Sequence, residues 1–421
     1  MASVDFDAWM DQCSGPGTVW YAKRLSANDT LANRTHQAGP YIPREVLFTV
    51  LPILDRPERH NPDARFPLRI DSHDGAPRMV RTIWYNNALH GGTRNEARVT
   101  GFGGRRSPLL DPENTGAVTV FAFMAGHRGT VSQCRVWVCD CEAEESLFEQ
   151  RLGPLEPGRW LVWSPDATPL LTPRPASATP CRLALEDIPT AWLSAFPSGA
   201  EIVAETVKMR PEHGYGPDDR LLRRRDCEYE IFLSVEEAVE MPGIRAGFGT
   251  IDEFVSRAQS ILQRRKARAG RSLELHARQI FVEEGLIEDE HFAHGADSEP
   301  GRRPDFLFPS QERYRDHSFP PDRLRMLAVK TTCRDRWRQI LNEAGRIPIK
   351  HLLTVQEGVS EAQFREMKES GVRLVVPSRL RAHYPAVLRP ELTSLEEFIA
   401  DIRPLAGPTP GREGHATPPP S

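Results

Sequence analysis

Two short apolar stretches in the C-terminal half each carry a charged residue that a buried strand would normally exclude. Asp305 opens one of them, within PDFLFP at 304–309, and Lys330 closes the other, RMLAVK at 325–330. Compact apolar runs of this length are typical of strands. If the two strands are neighbours in one sheet, the carboxylate of Asp305 and the ammonium of Lys330 lie together at one edge of that sheet.

A carboxylate and an ammonium at one sheet edge are groups that can hydrolyse a phosphodiester. The reaction needs a divalent cation to withdraw charge from the phosphate and activate water, and a nearby ammonium to stabilise the transition state. Magnesium typically binds one or two carboxylates together with phosphate oxygens and waters. We therefore predict a Mg2+-dependent nuclease centre in which Asp305 holds the metal and Lys330 stabilises charge and helps to orient the attacking water.

The second acid of this centre has to come from another position. In the frequent nuclease pattern of Pro-Asp, a spacer, an acid, any residue and a lysine, the place of the acid before the lysine holds Ala328. A helix predicted to start near Asp335 would place Arg336, Gln339 and Glu343 on one face. Glu343 is the predicted replacement for the missing acid and the second metal ligand.

Glu274 is a further candidate for the centre. It lies early in a helix predicted to begin near Ser272, and that helix should pack beside the site. The alternative is that Glu274 is a charge in the first turn of a helix, where the helix dipole favours acidic side chains. The residues alone leave both interpretations open.

The segment that follows Lys330 has the chemistry of base recognition. Arginine can bind O6 and N7 of guanine with two hydrogen bonds, and aspartate can accept a hydrogen bond from N4 of cytosine. Arg334, Asp335 and Arg336 could therefore read G·C pairs. Taken alone, the segment is more simply a solvated helix start with Asp335 as the N-cap.

The elements that must position these groups divide the chain into two parts. At 421 residues the chain exceeds what one hydrophobic core usually serves. From Val46 to Trp163, several β-branched and aromatic runs predict a mainly β half: VLFTVLPIL, RMVRTIWYNN, AVTVFAFMAG, CRVWVCDC and RWLVW. The five prolines of 164–180 predict an extended linker.

The second half alternates strand-like and helix-like segments. The strand-like segments DFLFP, RMLAVK, HLLTV and VRLVVP are separated by helical ones, which include DRWRQILNEAG and EAQFREMKESG, so we predict a mixed sheet flanked by helices. Two more helical runs precede them, FVSRAQSILQRRKARAG and SLELHARQIFVEEG, and Thr250 with Glu253 resembles a capping box. The predicted parts are a β domain at 1–165, a linker at 166–185, an α/β domain at 186–403 and a disordered tail at 404–421.

Composition excludes several classes of protein. The formal net charge of −4 argues against a uniformly basic nucleic-acid binder but allows basic faces. The seven scattered cysteines predict reduced thiols in a cytoplasmic protein. Cys134, Cys139 and Cys141 lack a second pair at zinc-finger spacing, so we interpret them as buried thiols. No apolar stretch approaches the roughly 20 residues of a membrane helix.

Several longer stretches resemble one known family. LRMLAVKTTCRDRWRQILNEA, PDFLFPS, LTVQEGVS and GVRLVVPS resemble the catalytic domain of EcoRII-type restriction endonucleases, whose fold is the PD-(D/E)XK core. In that family a Glu after the lysine substitutes for the usual acid, which implies a metal-dependent centre made of Asp305, Lys330 and Glu343. The resemblance also implies a part in activity for Tyr314, which we expect to position groups rather than to act as a base. It implies base reading by segment 334–336, where Arg334 stands in place of a lysine.

The N-terminal half resembles the effector DNA-binding domain of the same family, a β-barrel similar to plant B-three DNA-binding domains. The similar stretches are LSANDT, HQAGPYIP and YNNALHGGTRNEAR. The resemblance implies that DNA is contacted by His36, Tyr41, Arg94, Glu96 and Arg98. Gly92 and Ala97 stand where lysines are expected, which would weaken phosphate binding. Without the resemblance, TRNEAR reads as a solvated hairpin turn.

These features together predict a homodimeric type II restriction endonuclease that cuts double-stranded DNA at a short, G·C-flanked, pseudo-palindromic site. The family implies CCWGG or a relative as that site, and a further copy of it bound as effector by the N-terminal domain. The main alternative is a catalytically inactive, sequence-specific DNA-binding regulator, suggested by Ala328, Gly92 and Ala97. A DNA-repair nuclease with the same core is a third interpretation, but a dedicated effector domain suits the counting of sites better than a search for lesions.

Overall fold

A computed structural model of the protein describes residues 2–34, 39–73, 75–166, 181–211 and 213–407. The middle of the predicted linker, 167–180, and the tail from 408 onwards lie outside the described residues. None of the helices within the described ranges is both long and apolar enough to cross a membrane.

The N-terminal part is a curled sheet of seven described strands with the order β4-β3-β2-β6-β5-β1-β7. The strands are β1 (Thr18–Arg24), β2 (Asp63–Ile70), β3 (Arg78–Tyr85), β4 (Glu96–Thr100), β5 (Val118–Ala125), β6 (Val131–Val138) and β7 (Trp160–Trp163). Only the pairing of β2 with β6 is parallel among them. Three helices accompany the sheet: α1 (Ala2–Gln12), α2 (Arg44–Val50) and α3 (Glu142–Leu152).

Alternation along β5 gives this sheet a core on each face. Phe121 and Phe123 pack on one side against the α2 region. Val118, Val120 and Ala122 point to the other side, where α1 and α3 cover them. Successive side chains of a strand point to opposite faces, and a strand that is apolar throughout is therefore buried on both.

One predicted strand of this half is wrong. The run VLFTVLPIL at 46–54 forms α2 and a 3-10 turn at Pro52–Leu54. Its buried side chains recur at helical rather than alternating spacing: Val46, Leu47, Val50, Leu51 and Leu54. The other four predicted strands are present, and β1, β2 and β4 are additional to the prediction.

The C-terminal part is α/β, which confirms the predicted fold class. Its sheet has the order β12-β11-β10-β9-β8. The strands are β8 (Ala293–His294), β9 (Phe306–Phe308), β10 (Arg325–Val329), β11 (Lys350–Leu353) and β12 (Val372–Val375). β10, β11 and β12 are parallel, whereas β8 and β9 are antiparallel to their neighbours. The helices are α4 (Thr190–Ser194), α5 (Gly199–Met209), α6 (Pro217–Ala246), α7 (Ile251–Glu283), α8 (Gln311–Arg315), α9 (Glu361–Glu369) and α10 (Leu395–Ile402).

The two helices predicted around Gly270 are one helix. α7 runs for 33 residues without a break, so Glu274 lies in its last third and the first-turn interpretation of this residue is wrong. The hydroxyl of Thr250 caps the helix by accepting from the N–H of Glu253 at 3.2 Å. The carboxylate of Glu253 accepts from the N–H of Gly249 at 2.9 Å, one residue before the N–H that a capping box would use.

The described ends of the predicted linker and tail are packed. Cys181 is buried and forms a disulfide with Cys227 of α6, with the Cα atoms 5.2 Å apart. The prediction that all cysteines are reduced thiols is therefore wrong for this pair, because the fold joins two cysteines that are 46 positions apart. Leu405, assigned to the tail, is buried in the core beside α10. Cys181 and Leu405, which the prediction placed in the linker and in the tail, are thus both buried in hydrophobic cores.

Candidate active site and DNA-binding surfaces

Asp305 and Lys330 lie at the same edge of the C-terminal sheet. Asp305 precedes β9 and Lys330 follows β10, and these strands are antiparallel neighbours. The main-chain N–H of Val329 donates to Oδ2 of Asp305 at 2.6 Å. The main-chain N–H of Lys330 donates to the carbonyl of Leu353 in β11 at 3.0 Å. These hydrogen bonds therefore fix the carboxylate of Asp305 and the main chain at Lys330.

Glu343 joins this pair from a different element than the one predicted. The segment 336–342 is a 3-10 helix rather than an α-helix, and Glu343 follows it with extended backbone. Burial raises the pKa of Glu343 to about 7, the ammonium of Lys330 opposes this rise, and the charge of Asp305 adds to it. These mutual effects place the three side chains within electrostatic range of one another.

The donor set of this site fits a divalent cation. Burial raises the pKa of Asp305, and Lys330 opposes the rise. Oε2 of Glu343 is buried without a hydrogen-bond partner in the described protein. No group of three or more His, Cys, Asp or Glu among the described residues forms a ready-made metal site. Two partly buried carboxylates nevertheless match the needs of Mg2+, which completes its shell with phosphate oxygens and waters.

Glu274 reaches the site from α7. Its Oε1 lies 2.6 Å from Nε2 of His294 in β8, and its charge adds to the raised pKa of Asp305. The ring of His294 stacks on Phe306 with the centroids 5.1 Å apart. Sequence reasoning missed His294, because a single histidine in a two-residue strand forms no pattern. The pair with His294 orients Glu274 at the edge of the cluster.

Tyr314 lies in α8 and is buried in the core. Its hydroxyl donates to Glu299 and accepts from the main-chain N–H of Arg346, at 3.3 Å for the second bond. Burial, together with the hydrogen bond to Glu299, raises the pKa of Tyr314 to about 12. A hydroxyl in this setting stays protonated near neutral pH. The tyrosine therefore supports the turn after Glu343 and is unsuited to removing a proton from water.

The segment predicted to read bases faces the N-terminal domain. Arg334 donates to the carbonyls of Cys139 and Asp140 at 2.9 and 3.0 Å. The guanidinium of Arg336 lies 3.4 Å from the carboxylate of Glu142, at the start of α3. In this arrangement a base contact by Arg334 requires that it first leave the N-terminal domain.

Asp335 stands at the N-cap position of the 3-10 helix, but its side chain makes no capping hydrogen bond. It lies 3.6 Å from Arg338 one turn later. The interpretation of Asp335 as a side-chain N-cap is therefore wrong, and its carboxylate is half exposed in a weak ion pair.

A second charged surface lies along β4 in the N-terminal domain. Arg94 and Arg98 donate to the two carboxylate oxygens of Glu96, at 2.5 and 3.2 Å. Partial burial would raise the pKa of Glu96, but these two hydrogen bonds hold it below its usual value. The guanidinium of Arg94 lies 3.6 Å above the ring of Tyr85. The row Arg94, Glu96, Arg98 therefore presents an ordered set of donors and acceptors to solvent.

Tyr41 lies close to this row. It is about half exposed, and partial burial raises its pKa, with contributions from Glu45 and Glu96 and an opposing one from Arg44. His36, predicted to contact the same DNA, lies outside the described residues. Of the five DNA-contacting residues predicted in this domain, the structure thus groups the four that it describes.

The missing lysines at positions 92 and 97 have different structural settings. Ala97 is buried in the core, between the outward side chains of Glu96 and Arg98. In this register the side chain at 97 points into the protein, and the expected weaker phosphate binding stays a prediction. A Cβ at Gly92 would stand 3.0 Å from Cβ of Asn87, which leaves little room for a side chain.

Comparison with known proteins assigns the family. Family models described as "Restriction endonuclease EcoRII, N-terminal" and "EcoRII C terminal" match residues 14–167 and 232–399. The chain is 43% identical over 403 residues to the type II restriction enzyme EcoRII of Escherichia coli, covering 95% of this chain and 98% of that protein. Structures of metal-depleted Ecl18kI with uncleaved DNA and with uncleaved, modified DNA share 18% and 16% identity, a TM-score of 0.41, and coverage of 51% of this chain and 80% of theirs. The two matched domains and the identity over nearly the whole length show that the chain belongs to the EcoRII family of type II restriction enzymes, which are site-specific deoxyribonucleases.

Proposed function

We propose that the protein makes Mg2+-dependent double-strand cuts at a short, G·C-flanked DNA site, CCWGG or a relative. The observation that supports this most directly is that Asp305 and Lys330 stand at one sheet edge, with Glu343 within electrostatic range of both. Two partly buried acids near one lysine match the needs of metal-assisted phosphodiester hydrolysis. Ala328, which weakens the usual motif, is compensated because Glu343 brings a carboxylate to the same cluster.

The roles of the three residues follow from their settings. Asp305 and Glu343 would hold Mg2+, directly or through water, and the bound ion would supply positive charge to the phosphate and to the attacking water. Lys330 has its backbone tied to β11 and presents its ammonium to the charge that develops in the transition state. Asp305 is held by the N–H of Val329, so one of its oxygens is fixed while the other is left for further contacts.

The N-terminal domain would bind a further copy of the site as effector. Arg94 and Arg98 can contact guanine or phosphate, and Glu96 can accept from cytosine. Their mutual hydrogen bonds order the row before DNA arrives. The described residues of one chain form one proposed cleavage cluster, so two chains would supply one cluster for each strand, and a two-fold homodimer would match the symmetry of a pseudo-palindromic site.

A cleavage assay tests this proposal. Plasmid DNA with several CCWGG sites is incubated with the protein and Mg2+ or with EDTA, and a plasmid without sites serves as the control. We expect discrete fragments only with sites and metal. Lys330→Ala should abolish cutting while site-specific binding persists. Normal cutting by that variant would refute the catalytic assignment, and binding without any cutting by the unmodified protein would favour the inactive regulator.

A further inference from the structure

A second lysine, Lys350, lies beneath the turn that carries Glu343. It opens β11, and only 5% of it is exposed. Its ammonium donates to the carbonyls of Glu343, Ala344 and Ile347 at 2.6, 2.8 and 2.6 Å. An ammonium has three N–H donors, so these carbonyls use all of them. Every hydrogen bond of this side chain goes to one turn of the backbone.

Burial disfavours the charged form of this ammonium. Burial lowers the pKa of Lys350, while Glu299 and Glu343 act in the opposite direction. No carboxylate among the described residues makes a hydrogen bond with it. A buried charge that relies on carbonyl dipoles is costly compared with an apolar side chain of similar length. The arrangement is therefore better explained by the geometry that it imposes than by a gain in stability.

The turn itself needs such restraint. Ala344 has a φ of 47°, in the left-handed region of backbone conformation that residues other than glycine rarely adopt. Its N–H donates to Ser298 at 3.2 Å, and the N–H of Gly345 donates to Glu299 at 2.8 Å. The turn is thus held through its N–H groups from one side and through its carbonyls by Lys350.

We propose that Lys350 is a positioning residue of the cleavage centre. By binding the carbonyls of Glu343, Ala344 and Ile347, it holds the backbone so that the carboxylate of Glu343 faces Asp305 and Lys330 before a metal arrives. The ammonium of Lys350 itself touches neither substrate nor metal. The inference rests on the proposed function in one respect, that Glu343 is a metal ligand.

Mn2+ binding to the full-length protein tests this inference. The metal is titrated with a CCWGG duplex present, and free Mn2+ is followed by electron paramagnetic resonance. Lys350→Met keeps the apolar stem and removes the donors, and we expect it to weaken Mn2+ binding by about ten-fold or more, as loss of an outer partner of a metal ligand does. Lys350→Gln keeps two donors, should fold more readily, and should weaken binding by a smaller factor.

A matched control separates positioning from general stability. Arg323 donates from one guanidinium nitrogen to the carbonyls of Leu405 and Gly407 at 2.9 and 2.7 Å, in a turn that carries no predicted site residue. Arg323→Met likewise removes the donors to the carbonyls of a turn and should leave Mn2+ affinity unchanged, and the melting temperatures of the two Met variants are measured beside it. Equal Mn2+ affinities of the Arg323→Met, Lys350→Gln and unmodified proteins would overturn the inference.

The same titration distinguishes this inference from the proposed function. Asp305→Asn sets the level expected when the metal site is lost. Failure of the unmodified protein to cut DNA, with Mn2+ binding that depends on both Asp305 and Lys350, would reject the proposed nuclease activity and support the positioning role. Mg2+-dependent cutting by the unmodified protein, together with Mn2+ binding that does not change when Lys350 is replaced, would support the nuclease activity and reject the positioning role.

Discussion

At the scale of single residues, the main feature of the centre is that burial raises the pKa of its two carboxyl groups. Glu343 and Asp305 are both placed where their charged forms are costly, and Lys330 only partly offsets this cost. A cation would remove the cost for both acids at once. If Asp305 and Glu343 are the metal ligands, as proposed, the affinity of the site for metal should therefore be coupled to their protonation.

This coupling predicts a pH dependence of metal binding. With a pKa of about 7, Glu343 is largely protonated below that pH, and a metal has to displace the proton. The Mg2+ concentration for half-maximal cutting should fall as pH rises, by up to about ten-fold per unit below the pKa, and level off above it. Cutting rates measured against Mg2+ concentration at about pH 6, 7 and 8 check this. The same half-saturating concentration throughout would contradict the assignment of Glu343 as a ligand.

Tyr314 offers a second test at this scale. Tyr314→Phe removes the bonds to Glu299 and Arg346 without leaving a large cavity. We expect a loss of about 1 to 3 kcal/mol in stability and a modest decrease in cutting, well short of the roughly hundred-fold or greater loss typical of a missing general base. Tyr384→Phe is the control, because Tyr384 also donates from a buried hydroxyl, to the carbonyl of Gln356 at 3.0 Å. A loss of cutting on the scale of a missing base, with Tyr384→Phe unaffected, would make Tyr314 catalytic.

At the scale of elements, the C-terminal strands were predictable and the segments between them less so. Short apolar runs with charged ends mark β9 to β12 clearly, and with them the edge where Asp305 and Lys330 stand. The position of Glu343 depends on a 3-10 helix that ends just before it, and helical periodicity cannot distinguish this from an α-helix. α2 was missed because its β-branched residues suggest a strand while its burial follows a helix.

His294 and Lys350 could not be predicted for a different reason. Their side chains make contacts across the fold, with Glu274 of α7 and with the turn after Glu343. Neither contact leaves a spacing pattern in the sequence. A lysine at the start of an apolar strand is ordinarily taken as solvated, and only its burial shows otherwise.

His351 in β11 should make the stability of the fold depend on pH. Burial, with Arg325 and Arg373 acting in the same direction, lowers the pKa of His351 to about 4, although Asp401 opposes this. The unfolded chain therefore binds a proton at higher pH than the native state does. The contribution of His351 to the free energy of unfolding is complete above about pH 6.5. It decreases by up to roughly 3 kcal/mol as the pH drops towards 4.

The urea midpoint measures this effect. In the unmodified protein the urea concentration at half unfolding should decrease as the pH is lowered from about 7 to about 4.5. His351→Leu should make this decrease smaller. It should not abolish it, because the pKa of buried His276 is also lowered. His73→Gln is the control, since His73 is exposed. An unchanged pH dependence in His351→Leu would show that His351 does not stay neutral in the fold.

At the scale of the whole molecule, the two domains are joined by buried charge. Glu156 precedes β7 in the N-terminal domain, and its carboxylate bonds Arg225 of α6 and Arg268 of α7. Burial would raise the pKa of Glu156, but these arginines lower it to about 2. Glu156 of the first domain thus pairs with two arginines of the second, one of which, Arg268, also pairs with Glu228 of α6. Arg334 binds the first domain at another point.

Glu156→Gln should therefore weaken the whole molecule. The amide keeps the shape but leaves Arg225 and Arg268 buried with less opposing charge, and breaking such a pair typically costs about 3 to 5 kcal/mol. We expect a clear drop in melting temperature, measured by calorimetry of the full chain. Glu205→Gln is the matched control, because its pair with Lys208 is exposed and should contribute less than about 1 kcal/mol. Equal melting temperatures for the two variants would mean that the domains are held together by their apolar contacts and that the buried arginines need no such partner.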